Sequence, residues 1–395
     1  MSKIIAVNAG SSSLKFQLYE MPSETVLTSG IVERIGFDDA IFSIIVEDEK
    51  IEKVLPIKNH TVAVNLLLEA LKKHKIIEDY NEIIAAGHRI VHGGEYFAKS
   101  SLVDDDAVSK VEELCELAPL HNPSALIGYR AFADGLPHAK HVFVFDTAFH
   151  QTMKPEHFVY AVPYEWYTDY KVRRYGAHGT SHQYVSQCCA KLLHKDIKDT
   201  KIITLHLGGG SSITAVDGGV CVNTSMGFTP LGGVMMGTRC GDIDPAIVPF
   251  MMDRLDVSTR EIDHLLNKKS GMLGVSGISS DGRDIEAEIE KGNERAILTM
   301  QIFENRIVQT VGSYYAQLGG LDAIVFTAGI GENDKITRAN IIKKLAPILG
   351  CTLNEEANNV RAKETLLTTD DARTKVFLIP TNEEIMIVRD TYELI

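Results

Sequence analysis

The strongest constraint on the fold is a unit of apolar strand, Gly/Ser turn and second strand that occurs twice, about 200 residues apart. The first copy, residues 4–16, reads IIAVNAGSSSLKF, and the second, residues 204–216, reads TLHLGGGSSITAV. Glycine lets the backbone approach a ligand, and successive N–H groups with serine hydroxyls form a concavity that suits an anion. One unit in each half of the chain predicts two related lobes that hold a polyphosphate, as in a phosphotransferase.

The length of 395 residues exceeds one ordinary hydrophobic core and favours two domains. We place the boundary near residue 150, giving lobes at 1–150 and 151–383, with a final helix at about 384–395 that packs back on the first lobe. The net charge of −13 argues against a nucleic-acid partner, because such a surface needs a basic stripe. An anionic substrate must therefore be attracted by local positive charge.

The cysteines and the N-terminus indicate a cytoplasmic protein. The 6 cysteines show no CxxC pair, which favours reduced thiols over a disulfide framework. Residues 1–20 lack the pattern of a signal peptide, and no stretch of the sequence is apolar enough to span a bilayer. We therefore expect no membrane partner.

Short apolar runs alternate with helical patterns along the chain, which predicts an α/β protein. The early part, 14–19 and 26–55, is more typical of antiparallel hairpins, so the sheets should be mixed. The clearest helix, 294–318, should end at Gly319 and should serve core or dimer packing. The other predicted strands are 3–8, 83–87, 141–146, 201–207, 212–216, 323–328 and 375–379, and the other predicted helices are 60–74, 105–117 and 180–195.

Several loops carry the charges that phosphoryl transfer needs, since cations stabilise the negative charge of the transferred group. The cationic candidates are Arg89, His121 and Arg239. The carboxylate of Asp146, at a predicted strand end, could hold a metal, orient a group or act as a base. In the segment GAHGTSH, residues 176–182, either Thr180 or Ser181 should cap the following helix, and His178 before that cap is the better candidate for an anion contact. The Gly-rich segment 328–333 follows a predicted strand and favours a mononucleotide over a dinucleotide.

Taken together, these segments resemble the acetate kinase family over essentially the whole chain and in the same order. The motifs that carry the resemblance are VNAGSSSLKF, GHRIVHGGE, LAPLHNP, VFDTAFHQT, HGTSH, MGFTPL, MGTRCGDIDP, FTAGIGEN and PTNEE. That family belongs to the sugar kinase, actin and heat-shock ATPase superfamily. The resemblance implies an α/β fold of two lobes with a duplicated ribonuclease-H-like (actin-like ATPase) core, with mixed sheets flanked by helices.

The resemblance also implies a reaction and its ligands: reversible, Mg²⁺-dependent (or Mn²⁺-dependent) transfer from ATP to acetate, giving acetyl phosphate and ADP in a homodimer. The implied catalytic residues are Asp146, His178 and Arg239, with the role of Asp146 open between base, metal holder and substrate orienter. The implied substrate residues are Arg89, His121, Val91, Leu120, Ala177 and Pro230, and the metal residues are Asn8 and Glu383. The implied nucleotide residues are Lys15, His206, Leu207, Gly208, Gly209, Gly210, Asp281, Gly282, Arg283, Gly329, Ile330, Gly331, Glu332 and Asn333.

Two departures from the family pattern bear on function. Gly209 stands where the family usually has Asn, which removes a side-chain contact to phosphate. Ala177 stands where the family usually has Phe, which would enlarge the pocket for the acyl group. A propionate or butyrate kinase is therefore an alternative, and an ATP-driven binding or chaperone module on the same lobes is a second one. The cluster of histidines and arginines opposes the chaperone reading, because a chaperone needs no small-carboxylate pocket.

Overall fold

The computed structural model describes residues 2–119 and 121–395, which divide into two compact units. The first unit runs to Phe149 and also contains Asn382–Ile395, and the second unit is His150–Thr381. Within the described ranges, no helix combines the length and the apolar character that crossing a membrane requires.

The elements are numbered here in chain order. The strands are β1 (Ser2–Ala9), β2 (Ser13–Met21), β3 (Thr25–Glu33), β4 (Ala40–Val46), β5 (Glu49–Leu55), β6 (Ile83–Ile90), β7 (Ser101–Leu102), β8 (Lys140–Phe145), β9 (Lys201–Leu207), β10 (Ser211–Asp217), β11 (Val220–Thr224), β12 (Ala323–Thr327), β13 (Thr365–Leu366) and β14 (Lys375–Leu378). The helices are α1 (His60–Lys73), α2 (Asp105–Glu113), α3 (Asn122–Gly135), α4 (Pro155–Phe158), α5 (Glu165–Tyr170), α6 (Gly179–Leu192), α7 (Ile247–Leu255), α8 (Thr259–Lys268), α9 (Gly271–Ser276), α10 (Gly282–Glu290), α11 (Glu294–Leu318), α12 (Ala328–Asn333), α13 (Lys335–Leu349) and α14 (Glu383–Leu394).

The strand order of the six-stranded second sheet recurs within the eight-stranded first sheet. In the first unit the order is β5-β4-β3-β2-β1-β6-β8-β7, with β1 antiparallel to β2 and parallel to β6. In the second unit the order is β11-β10-β9-β12-β14-β13, with β9 antiparallel to β10 and parallel to β12. Each sheet thus combines an antiparallel meander with parallel central strands, and each ends in a two-residue antiparallel edge strand. This confirms the predicted α/β class with two mixed sheets.

Burial explains why these strands are central. Four consecutive residues of β1, Ile4–Val7, are buried, as are all five residues of β12. A continuous apolar run is typical of a strand covered on both faces. Helices α3 and α14 pack on β1 and β6 in the first unit, and α6 and α11 pack on β9 in the second.

Gly87 in β6 is required by the close approach of α14. A Cβ atom at this position would lie 2.3 Å from Thr391 Oγ1 and 2.5 Å from Ile387 Cγ2, both on α14. The absence of a side chain therefore lets the helix lie directly on the strand. Helix α14 begins at Glu383, after the N-cap residue Asn382, whose side chain accepts from the Ile385 N–H.

Most predicted elements are confirmed within a few residues. The clearest helix, α11, spans Glu294–Leu318 and ends at Gly319, whose φ of +64° is the left-handed C-cap that glycine favours. Its buried side chains include Phe303, Ile307 and Val311, which belong to the core of the second unit. The predicted helix 105–117 is shorter, because its last turn, Leu114–Glu116, is a 3-10 helix.

Candidate active site

Arg89, which is partly buried, and Asp146, which is buried, form an ion pair in the first unit. Arg89 lies near the end of β6, and Asp146 directly follows β8, the parallel neighbour of β6. Arg89 Nε donates to Asp146 Oδ1 at 2.8 Å, and Arg89 Nη2 donates to Asp146 Oδ2 at 2.7 Å. The Asp146 side chain is 1% exposed. The carboxylate thus receives a bidentate, charge-assisted contact, the strongest that an arginine makes.

A second carboxylate lies near the same guanidinium. Glu383 Oε2 is 3.8 Å from Arg89 Nε. Burial by itself would lower the pKa of Arg89, but Asp146 and Glu383 outweigh it and raise that pKa above its usual value. Arg89 is therefore a permanent cation, and its Nη1 takes no part in the contact with Asp146.

Two polar residues that the motif reading did not single out hold the turn after β6. Asn122, which is fully buried, accepts from the His92 N–H at 3.1 Å and donates to the His92 carbonyl at 2.9 Å. Thr147 Oγ1 accepts from the Gly93 N–H at 2.9 Å. These bonds tie the turn to the start of α3 and to the residue after Asp146. The sequence signal for Asn122 was its place between His121 and Pro123 at a helix start.

The remaining predicted residues of the first unit lie at the ends of these elements. Asn8, near the end of β1, pairs across the hairpin with Lys15 of β2. His121 is the N-cap residue of α3, and Val91 directly follows β6. Leu120 lies outside the described residues.

The second Gly/Ser hairpin forms a tight backbone turn in the second unit. The Gly208 N–H donates to the Gly210 carbonyl at 3.1 Å, and the Gly209 carbonyl accepts from the Gly237 N–H at 3.3 Å. A Cβ atom at Gly210 would lie 3.5 Å from His178 Nε2 and 3.6 Å from Arg239 Nη1. The structure therefore brings two cation-capable side chains, His178 and Arg239, to one glycine of the turn.

Arg239 and His178 are held by different means. Arg239 Nη1 donates to the Pro230 carbonyl at 3.1 Å, and burial lowers the pKa of Arg239 from its usual value. His178 Nδ1 lies 2.8 Å from Ser212 Oγ, and the His178 ring stacks on His206 with 4.0 Å between centroids. Each side chain thus has a fixed orientation beside the turn.

The predicted cap of α6 was wrong. The N-cap residue is His178 itself, with φ of +57°, and Thr180 and Ser181 lie inside the first turn. Ser181 Oγ instead contacts His206 Nδ1 at 2.8 Å and Thr381 Oγ1 at 2.7 Å. The hydroxyl found tertiary partners, so the local capping preference did not decide where the helix begins.

The turn before His178 is fixed by a buried histidine. His150 Nε2 lies 2.9 Å from the Ala177 carbonyl oxygen, and His150 Nδ1 lies 3.2 Å from Cys221 Sγ. Burial raises the pKa of Cys221, so its thiol stays protonated and the S–H donates a hydrogen bond to His150 Nδ1. The Ala177 side chain is buried against Met226 and Met236.

Two of the predicted nucleotide segments involve helices: 281–283 lies at the start of α10, and 329–333 lies within α12. Asp281 is the N-cap residue of α10 and accepts from the Arg283 N–H at 2.9 Å. Hydrogen bonds from the Arg283 side chain and backbone lower the pKa of Asp281 to about 2. Glu332 accepts from the Ala328 N–H at 2.8 Å and from the Thr381 N–H at 3.1 Å. Glu332 thus supports the backbone of its own loop. The other segment members are His206 and Leu207 of β9, Gly282 of α10, and Gly329, Ile330, Gly331 and Asn333 of α12.

The duplicated sheet topology, with charged side chains at the strand ends and beside a Gly-rich turn, is that of a two-lobed phosphotransferase. The chain matches the model of the Acetokinase family over residues 3–389 and belongs to that family. It is 55% identical to the acetate kinase of Geobacillus sp. (strain WCH70) over 394 residues, which cover 100% of this chain and 99% of that protein. It is 52% identical to the acetate kinase of Bacillus velezensis (strain DSM 23117 / BGSC 10A6 / LMG 26770 / FZB42) over the full length of both chains.

Two solved structures share the whole fold. The Porphyromonas gingivalis acetate kinase has a TM-score of 0.94 at 43% identity, and 100% of both chains is covered. A propionate kinase from Francisella tularensis subsp. tularensis SCHU S4 has a TM-score of 0.94 at 42% identity, also with 100% of both chains covered.

Proposed function

We propose that this chain is an ATP:acetate phosphotransferase, which reversibly converts ATP and acetate to ADP and acetyl phosphate. Family membership and the full-length similarity to acetate kinases support the reaction class. The observation that carries the proposal is the pairing of Arg89 with the buried Asp146 carboxylate, because it prepares a fixed guanidinium for a small carboxylate.

The chemistry needs little proton transfer. A carboxylate oxygen of acetate attacks the γ-phosphorus, the bond to the β–γ bridging oxygen breaks, and its electron pair leaves with ADP. Acetate is already ionised at neutral pH, so the attacking oxygen requires no general base. We therefore assign Asp146 the role of orienting Arg89, among the three roles that the sequence leaves open.

The cations divide the work of charge stabilisation. Arg89 binds the acetate carboxylate through Nη1, while Asp146 holds the Nε and Nη2 edge of the guanidinium. His178 and Arg239 stabilise the transferred phosphoryl group, because both flank Gly210. Donors held in fixed positions need no reorganisation as charge develops, which is the main source of such stabilisation. His121 would help to position the acetate.

The nucleotide contacts are proposed on the backbone of two Gly-rich turns and on nearby polar groups. The turn 208–210 offers N–H groups and lies beside His206 and Leu207, and α12 begins at the end of β12, where a phosphate or base edge can meet helix N–H groups. Lys15 would lie near the phosphates, and the Asp281–Arg283 segment would border the nucleotide.

The donors in the first unit fit Mg²⁺ or Mn²⁺. Asn8 offers an amide oxygen and Glu383 a carboxylate, both only partly exposed. Among the described residues, no group of three His, Cys, Asp or Glu side chains could hold a metal. Mg²⁺ in kinases is usually bound by one or two carboxylates together with substrate phosphates, so these two residues suit it. When bound, the ion would neutralise phosphate charge.

The size of the acyl group is a finer question. Ala177 is buried against two flexible methionines, and the Pro230 carbonyl accepts a hydrogen bond from Arg239 Nη1. Because Phe at position 177 would fill volume that Ala leaves, we propose that propionate or butyrate is accepted better than by a typical relative. One extra methylene in an apolar pocket changes discrimination by about 1–3 kcal/mol.

Trapping the acyl phosphate with hydroxylamine tests both levels of this proposal. Acetate, propionate and butyrate should each give hydroxamate in wild type, and Ala177→Phe should lower kcat/KM for the longer acids more than for acetate. An unchanged strong preference for acetate in both proteins would contradict the enlarged pocket. ATP hydrolysis that needs no acid and yields no acyl phosphate would contradict the kinase assignment and favour an ATPase module.

The roles of the arginines have their own test. Arg89→Ala and Arg239→Ala should each lower kcat by orders of magnitude while the fold is retained. Arg260→Ala, which removes an exposed arginine of α8, is the matched control and should keep full activity. Near-normal turnover in both site variants would overturn their assignment.

We also propose a cytoplasmic homodimer. All 6 cysteines are free thiols in the structure, which suits a reducing compartment. Three large apolar side chains of α7, Ile247, Phe250 and Leu255, are exposed and provide a candidate surface for a second copy. Light scattering on purified protein measures the mass, and a monomer at micromolar concentration would contradict the dimer.

A further inference from the structure

We infer that Ser212 and His182 are positioning residues that determine which ring nitrogen of His178 carries the proton. This inference rests on the proposed role of His178 in stabilising the phosphoryl group. Neither Ser212 nor His182 needs to touch a substrate, and both act through hydrogen bonds inside the second unit. Their effect is to present an N–H donor at His178 Nε2, the atom that lies beside Gly210.

Four side chains form a continuous chain of short hydrogen bonds. Thr204 Oγ1 lies 2.7 Å from His182 Nδ1, and His182 Nε2 lies 2.7 Å from Ser212 Oγ. Ser212 Oγ in turn lies 2.8 Å from His178 Nδ1. Thr204, His182 and Ser212 are all 0% exposed, so these bonds are shielded from water. A buried network of this kind has only a few allowed proton arrangements.

The direction of donation follows from counting protons. Burial, with His150 and His206 nearby, lowers the pKa of His182 well below its usual value, so its ring is neutral and only one nitrogen donates. The Thr204 hydroxyl can donate to His182 Nδ1 at 2.7 Å or to the Thr214 carbonyl at 3.4 Å. The shorter contact is within the normal range for a hydroxyl donor, and the longer one is outside it.

Donation from Thr204 to His182 fixes every later bond. His182 then donates from Nε2 to Ser212, and Ser212 spends its single proton on His178 Nδ1. With Nδ1 acting as an acceptor, the neutral His178 ring carries its hydrogen on Nε2. The opposite order would leave a lone pair at Nε2 facing the phosphate, which repels negative charge, and would require the long Thr204 contact.

Other groups around the ring make this arrangement useful. His206 stacks on His178, and His182 lies in α6, the helix that His178 caps. The Arg239 guanidinium flanks Gly210, as His178 does. His150 faces His182. A neutral Nε2–H donor serves the phosphoryl group without adding a further full positive charge to this set. The chain of hydroxyls therefore allows His178 to act above the pH at which histidines lose their charge.

The test compares pH profiles of kcat for acetyl phosphate formation between pH 5.5 and 9. In wild type, the contribution of His178 should persist at high pH. Ser212→Ala and Thr204→Val remove the directing hydroxyls with little change in shape. In these variants Nε2–H is assured only in the cationic ring, so kcat should fall roughly tenfold to hundredfold as the pH rises through the histidine range. KM for acetate should stay unchanged.

The controls separate positioning from a general loss of structure. Ser186→Ala removes a buried hydroxyl of α6 that donates to the Gln183 carbonyl, outside the Thr204–His182–Ser212–His178 network, and should keep the wild-type profile. Ser212→Thr restores a hydroxyl and should recover activity at high pH. NMR of ¹⁵N-histidine-labelled protein, with the His178 signal identified by its loss in His178→Ala, should show hydrogen on Nε2 in wild type and a mixture in Ser212→Ala.

The outcomes separate the positioning inference from the proposed role of His178 itself. If His178→Ala loses kcat while Ser212→Ala and Thr204→Val keep wild-type profiles, the positioning inference fails and the proposed function stands. A loss of kcat that is equal at every pH, or hydrogen on Nδ1 in wild-type His178, also refutes the inference. If His178→Ala retains full kcat, the proposed role of His178 fails together with the inference.

Discussion

Replacing Gly87 by alanine should displace α14 and destabilise the first unit. The added Cβ would lie 2.3 Å from Thr391 Oγ1 and 2.5 Å from Ile387 Cγ2, whereas ordinary contacts begin near 3.4 Å. The helix would have to move by the difference, about 1 Å, away from β6. Forcing an extra methyl group into a well-packed core typically costs about 1–3 kcal/mol. A loss of 2 kcal/mol corresponds to a fall of roughly 4–8 °C in Tm for a unit of this size.

The same displacement should affect the site, because Glu383 begins α14 and lies 3.8 Å from Arg89. We expect the Mg²⁺ concentration for half-maximal acyl phosphate formation to rise in Gly87→Ala. Gly312→Ala is the matched control, since it adds the same methyl group inside α11, where nothing lies within 4 Å of the new Cβ. That variant should gain about 0.5–1 kcal/mol from reduced freedom of the unfolded chain. Urea denaturation and thermal melts measure both variants, and a Gly87→Ala protein as stable as wild type would refute the packing argument.

Three further changes test the site and its surroundings. Asp146→Asn removes one of two charge-assisted bonds to Arg89, and such a bond is worth about 1.5–3 kcal/mol. Hydroxamate assays should therefore show kcat/KM for acetate lower by roughly 10- to 150-fold with an unaltered pH profile. Loss of a pH-dependent limb of that profile would instead identify Asp146 as a general base. Gly209→Asn has open space around its Cβ and should fold normally while lowering KM for ATP, and a raised KM would contradict a phosphate contact there. Burial raises the pKa of Asp390, so its ionisation opposes folding and stability is lost as pH rises through that pKa. Asp390→Asn should therefore stabilise the protein more at pH 7 than at pH 3, and equal gains by urea denaturation at both pH values would count against it.

The sequence predicted candidate site residues without showing how they are connected. Arg89 and Asp146 were recognised by their motifs, yet their bidentate pairing depends on β6 and β8 being parallel neighbours. Asn122 and Thr147, which hold the turn after β6, gave little signal because a buried amide and a hydroxyl look like ordinary polar residues in a sequence. The N-cap of α6 was wrongly predicted because Ser181 bonds to His206 and Thr381, and no local rule includes those partners.

By itself, the sequence determined the α/β class, the duplicated strand–turn–strand units, the main helices and the chemical class of the site. The fold class, the repeated units and the helices follow from apolar periodicity and turn residues, which act over a few neighbouring positions. The chemical class follows from the charged motifs and their resemblance to a known family. Only the tertiary structure decided that the Asp146 carboxylate faces Arg89, that α14 lies on β6 over Gly87, and that Thr204, His182 and Ser212 lead to His178. Such contacts join residues far apart in the chain, and they depend on strand order, register and side-chain direction, which local patterns do not encode.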